Sequence, residues 1–153
     1  MGYDLRRFAA AAAPHLEDGE HVLGGTWART TGGFAAERAF GLAAGLAAQL
    51  GTDDSGPVRL PRAFEIAVTG RRLLVFDRSA FTGRPHRLVT VVPLTDVAVA
   101  EVTTRHRGIE SVAVVLRRGT TIEFEVAKLG ARRLVPSFVA CVNEQLTAGR
   151  CAA

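Results

Sequence analysis

The densest group of side chains with metal-ligand chemistry is His15, Glu17, Asp18, Glu20 and His21. A metal centre needs three or four such groups converging on one point. These five sit between a helical stretch and a strand, where a polar turn is expected without any ligand. The spacing therefore predicts a solvated turn. Thr52-Asp53-Asp54-Ser55-Gly56 resembles the start of a calcium loop. It lacks the alternating acidic positions and the closing Glu, so a plain loop is expected. Cys141 falls on the apolar stripe of the last helix, where a thiol is usually an inert core residue. The chain contains no Gly-x-Ser-x-Gly, no phosphate-binding loop and no dinucleotide fingerprint. No catalytic residue, cofactor or metal is expected.

The second group is basic. Arg71, Arg72, Arg84, Arg87, Arg105 and Arg107 lie in turns between apolar runs, with Arg78 close by. Guanidinium groups suit carboxylate or phosphate through paired hydrogen bonds. These six are the candidate anion- or partner-binding residues, and Arg71, Arg72, Arg84 and Arg87 would form a positive rim if they converge at one end of the sheet. Nucleic-acid binding would add exposed aromatic rings for stacking. Only Phe81 and His86 offer rings in these loops, so nucleic acid is not expected. The simpler reading is an Arg-rich solvated surface.

The charge distribution makes the same segment the interesting one. The 153 residues carry a formal charge of +4. Residues 1–57 hold 4 basic and 7 acidic side chains, and residues 119–153 hold 4 and 3. Residues 58–118 hold 11 and 5, so the basic excess is concentrated there. Hydrophobic residues make up 48% of the chain, enough for one domain with its own core and too many for wholesale disorder. The longest uncharged run, Ala39 to Thr52, is too short to span a bilayer. The two cysteines show no disulfide framework, and Asp4, Arg6 and Arg7 interrupt any signal sequence. A cytoplasmic location is expected.

The elements that must position these groups follow from periodicity. Residues 3–13 read as a helix with Leu5, Phe8 and Ala12 on one face, ended by Pro14. His21 to Thr30 reads as a strand in which Gly24-Gly25 marks a bulge. A helix is expected over 35–50 from Ala39, Leu42, Leu46 and Leu50, and Gly51 to Pro61 reads as a loop. Phe64, Ile66 and Val68 alternate with Ala63, Glu65 and Ala67, as on a strand with one buried face. Thr69-Gly70-Arg71-Arg72 fits a two-residue hairpin with Gly at its first central position. Leu73 to Phe76 follows, then a polar loop from Asp77 to Arg87. Leu88 to Val92, Asp96 to Thr103, Val112 to Leu116 and Ile122 to Val126 complete seven strands. Arg105 to Gly108 and Arg118-Gly119 read as turns. Residues 131–147 close the chain as a helix striped by Leu134, Phe138, Cys141, Val142 and Leu146, its start as late as Leu134 because of Pro136. Residues 148–153 read as a frayed tail.

Gly19-Glu20, Ile66-Ala67-Val68-Thr69-Gly70-Arg71-Arg72-Leu73-Leu74-Val75-Phe76 and Val92-Pro93-Leu94-Thr95-Asp96-Val97 resemble, in order and spacing, bacterial pleckstrin-homology-like (PH-like) domains. The resemblance covers roughly residues 19–147. It implies a mainly β fold: a bent seven-stranded antiparallel sheet, or partly open barrel, capped by a C-terminal helix. Here an N-terminal helix and a helical insertion over 31–61 are added. Most bacterial members have no assigned chemistry. Lipid-binding members cluster basic residues after the first strand. This chain has Arg38 and Arg59 there among Ala and Gly, so phosphoinositide recognition is not implied.

Together these features predict a non-enzymatic cytoplasmic interaction module. It would dock an unknown protein segment or an anionic surface through loops and a sheet edge. Weak, salt-sensitive contact with an anionic membrane and homo-oligomer formation are both compatible with the sequence. The alternative is a small-molecule or lipid pocket between the 35–50 helix and the sheet, with an unrecognised enzymatic step.

Overall fold

Seven runs of alternating apolar residues, joined mostly by short turns, become seven antiparallel strands. The computed structural model describes residues 5–31, 52–53, 58, 60–79, 82–106, 108–127 and 134–151. Helix α1 (Leu5–Ala12) runs into a 3-10 turn, Ala13–His15. Strand β1 (Val22–Thr30) follows, then β2 (Thr52–Asp53), β3 (Leu60–Pro61), β4 (Ala63–Thr69), β5 (Arg72–Arg78) and β6 (Pro85–Pro93). A second 3-10 turn, Leu94–Asp96, leads to β7 (Val97–His106), β8 (Ile109–Leu116) and β9 (Thr121–Ala127), and α2 (Leu134–Cys151) closes the chain. The expected 35–50 helix, with Gly41 and Gly45, lies outside the described residues.

The main sheet has the order β6-β5-β4-β1-β9-β8-β7. Strand β1 is its hinge. It pairs with β4 from Val22↔Thr69 to Arg29↔Ala63, but with β9 only at Arg29↔Glu125 and Thr30↔Phe124. The two three-stranded halves therefore separate along most of β1, and α2 packs chiefly on β7 and β1. This is a bent, partly open seven-stranded antiparallel sheet with a C-terminal helical cap, the mainly β architecture expected. Phe64, Phe124 and Phe138 join β4, β9 and α2 by edge-to-face contacts, with ring centroids 5.7 and 6.0 Å apart.

Gly24 and Gly25 explain how two helices reach one strand. A Cβ on Gly24 would lie 3.2 Å from Cys141 Sγ of α2. One on Gly25 would lie 2.7 Å from the Ile66 carbonyl and 3.2 Å from the Phe8 ring of α1. Successive strand residues face opposite sides, so the glycine pair admits a helix on each. The expected irregularity is there too, as a register shift between Val22 and Gly24.

The inner core holds Phe64, Ile66, Val68, Val112, Phe124 and Phe138 among others. A second core on the outer face joins Phe8 and Ala12 of α1 to Ala67, Leu74 and Phe76. Strand β4 is consequently buried along its whole length, Glu65 included, and not on one face as its alternation predicts. Glu65 is matched by Arg78, whose Nε lies 3.5 Å away.

Several boundaries shift. α1 packs through Phe8 and Ala12, whereas Leu5 is exposed. Thr52–Asp53 pairs with Leu60–Pro61 inside the expected loop, and Leu60 joins the inner core. The Asp77 to Arg87 loop shrinks to 79–84, because Asp77↔Arg87 and Arg78↔Pro85 extend the β5–β6 ladder. Arg105 likewise belongs to β7 and faces Glu110 on β8. α2 begins at Leu134 and runs through Cys151, so the tail after Thr147 is helical as far as that residue. Among the described residues no helix is long and apolar enough to cross a membrane.

Candidate functional site

Arg71, Arg72, Arg84 and Arg87 do not converge. Strand order fixes this by parity, since successive hairpins in an antiparallel meander lie at alternating ends. Arg71 and Arg72 occupy the β4–β5 hairpin, while Arg84 and Arg87 flank the start of β6. The register pairs Arg72 with Pro93 and Asp77 with Arg87, so the two sets are separated by five residues of β5. At about 3.3 Å per residue that is roughly 17 Å, beyond the ~8–10 Å over which exposed charges act in physiological salt. Arg105 belongs to the far end with Arg84 and Arg87 and is paired to Glu110, its Nε 3.2 Å from the carboxylate. Arg107 lies outside the described residues. Arg78 stacks on Trp27, 4.8 Å from the ring centroid, and donates from Nε to the Gly83 carbonyl at 3.1 Å. That guanidinium is part of the fold.

At the near end, the polar turn before β1 turns out to hold the hairpin. Arg72 donates from Nη2 to Glu20 Oε2 at 2.6 Å and to the His15 carbonyl at 2.7 Å, and from Nε to Glu20 Oε1 at 3.0 Å. Glu20 also accepts from the Glu17 backbone N–H at 2.9 Å and from the Thr69 hydroxyl at 2.6 Å. Its side chain is only 1% exposed. The hydrogen bonds from Arg72 hold its carboxyl down at about 2 against an ordinary 4.5, with Glu17 and Thr69 reinforcing and burial opposing. The same pairing raises the Arg72 pKa further. Arg71, by contrast, meets Glu17 in the open: Nη1 to Oε2 is 2.9 Å, with side-chain exposures of 62% and 56%. Glu17 and Glu20 thus serve guanidinium groups, and no three His, Cys, Asp or Glu side chains gather as a metal site among the described residues.

The hairpin itself departs from expectation. Positive φ is found at Gly19, Gly83, Gly108 and Gly119, but not at Gly70. The turn is closed by the Thr69 hydroxyl oxygen, which accepts from the backbone N–H groups of Arg71 and Arg72 at 3.2 and 3.1 Å. A side-chain turn replaces the glycine-dependent one.

Beside this hairpin opens a groove of about 540 Å³. Its wall is built by backbone hydrogen bonds to the Leu94–Asp96 turn. The Leu94 N–H donates to the Arg71 carbonyl, and the Arg117 N–H to the Asp96 carbonyl, each at 2.8 Å. The β4–β5 hairpin and the β8–β9 turn thereby clamp that turn between them. Arg71, Leu94, Thr95 and Arg117 face Gln145 and Leu146 of α2. Gly70 and Gly149 line it as well, where the absence of side chains keeps the groove open. Leu94 and Leu146 are core residues at 6% and 7% exposure, so the base is apolar and anchored. Among the described residues Arg117 makes no ion pair. The volume suits a side-chain-sized or small-molecule ligand.

Three residues that the sequence reading passed over matter here. Arg117 was legible, because Arg117-Arg118-Gly119 mirrors Gly70-Arg71-Arg72 and parity assigns both turns to one end. Gln145 lines the groove from α2 and carried no signal. Asn143 is the third. Its Oδ1 accepts from the Ala100 N–H at 3.0 Å and its Nδ2 donates to the Ala100 carbonyl at 2.8 Å. One carboxamide thus takes both backbone groups of a residue on the β7 edge, as a neighbouring strand would. At Ala100 that edge is occupied by the protein's own helix.

Cys141 sits half-buried against Gly24. Burial, and then the negative charge of Glu144, push its thiol up, which disfavours the nucleophilic thiolate. No protein-family model matches the chain, and no curated protein matches it either.

Proposed function

We propose that this protein is a non-enzymatic interaction module of PH-like type that docks an acidic protein segment in the groove beside the β4–β5 hairpin. The observation that carries this reading is the pairing of two guanidinium groups, Arg71 and Arg117, with an apolar base of Leu94 and Leu146. A segment that alternates carboxylate and aliphatic side chains matches both features. Thr95 and Gln145 supply hydrogen-bonding groups for its backbone. The reading makes the groove, rather than the β7 edge, the docking surface, because Asn143 occupies that edge at Ala100. It also replaces the four-arginine rim with Arg71 and Arg117, since Arg84 and Arg87 belong to the other end. A cytoplasmic location belongs to the same proposal.

Fluorescence anisotropy with a labelled peptide of alternating Glu and Leu tests it. Binding should be measurable at low salt and weaken as salt rises. Arg117→Gln should weaken it about fivefold, the loss expected for an exposed charge pair. Arg84→Gln/Arg87→Gln should leave it unchanged, and a Gln/Leu peptide should not bind. Equal losses from the Arg117 and Arg84/Arg87 variants would overturn the assignment to the groove. Binding to anionic vesicles but not to the peptide would replace a protein partner with a membrane surface.

A further inference from the structure

Resting on that reading, we infer that the group the site recognises is a carboxylate, and that Glu17 is the internal occupant it displaces from Arg71. Arg71 touches two environments at once. It lines the groove, yet its Nη1 is donated to Glu17 on the α1–β1 link at 2.9 Å. Glu17 itself is not among the residues that line the groove.

The neighbouring pair shows why Glu17 can be given up. Arg72 is held by Glu20 through 2.6 and 3.0 Å contacts at a side chain only 1% exposed. Glu17 adds to Arg72 only a longer contact of 3.3 Å. The Glu17 side chain is 56% exposed, so losing it leaves the buried pair and the hairpin turn in place. An exposed Arg–carboxylate pair is weak, so a ligand carboxylate can exchange for it at little cost. The exchange replaces one carboxylate with another on the same guanidinium. Arg117 needs no such release and provides the standing anchor.

Glu17→Gln keeps the side chain's size and removes the competing charge. It should tighten binding of the Glu/Leu peptide about two- to fivefold, the span of an exposed pair. Any added positive charge could do the same at long range, so the variant is repeated on an Arg71→Ala background. There the gain should disappear, which makes the coupling specific to this pair. Thermal midpoints of all four proteins check that the fold is kept. Unchanged affinity in Glu17→Gln, with wild type binding and Arg117→Gln weakened, overturns the displacement and leaves the groove standing. A gain that persists without Arg71 overturns it as well. Binding that appears only in Glu17→Gln supports displacement in its strongest form. Peptide that binds neither wild type nor Glu17→Gln overturns the groove and the displacement together.

Discussion

Two arginine pairs sit at the same end of the barrel, each beside a glycine in a tight turn, and their surroundings differ. Arg71-Arg72 is drawn into the carboxylates of Glu17 and Glu20. Arg117 and Arg118 are exposed on the β8–β9 turn, and among the described residues neither forms an ion pair. Nothing in either dipeptide distinguishes them. The difference comes from the α1–β1 link, which lies against one hairpin and not against the other. A guanidinium beside a buried carboxylate is a structural part, whereas one beside solvent is available to a ligand.

The strongest way to break the comparison is to remove the wall that gives both turns a shared groove. Phe138 is 1% exposed and packs edge-to-face against Phe124. Phe138→Ala should cost about 3–5 kcal/mol in urea denaturation through lost transfer energy and a cavity. A shift within error would mean that α2 is not docked, and the groove would go with it.

Acid should separate the two pairs next. The Glu20 carboxyl titrates at about 2 when folded, against an ordinary 4.5. A lowered folded value means that its contribution is complete above pH 4.5 and is lost as pH falls towards 2. The difference corresponds to at most about 3 kcal/mol. Glu20→Gln should therefore destabilise the protein at neutral pH and flatten the fall in stability between those limits. The same fall in the variant as in wild type would show that Arg72 does not depend on this carboxylate.

The glycines sharpen the contrast at a smaller scale. Gly119 has φ +84, which an L-residue adopts only with strain, whereas Gly70 avoids that region and a Cβ there would meet nothing closer than 3.8 Å. Gly119→Ala should cost about 1 kcal/mol, and Gly70→Ala should be nearly neutral. The reverse order in chemical denaturation would restore a glycine-dependent hairpin. Smallest of all, Arg118→Ala should change stability by no more than about 0.5 kcal/mol. A larger loss would mean that this turn, too, is structural.

The strands were legible because their signal is local. Phe64, Ile66 and Val68 share one face of β4 whatever surrounds it, and the same holds for Val112, Val114 and Leu116 on β8. That the helix expected over 131–147 could begin as late as Leu134 followed from where proline is tolerated in a helix. The division of the arginines between two ends was also available, since counting hairpins is enough to separate Arg71-Arg72 from Arg84 and Arg87. The sequence reading left their convergence open, and parity decides against it.

What the residues determined by themselves is the set of seven strands, the closing helix and the order in which turns join them, because backbone periodicity and turn chemistry act over a few neighbours. The tertiary structure alone decided which polar groups remained available. Glu20 reaches Arg72 across 52 residues and Asn143 reaches Ala100 across 43, while α1 buries the second face of β4. Such contacts depend on how distant elements pack, and a packed interior leaves each buried charge a partner or excludes it.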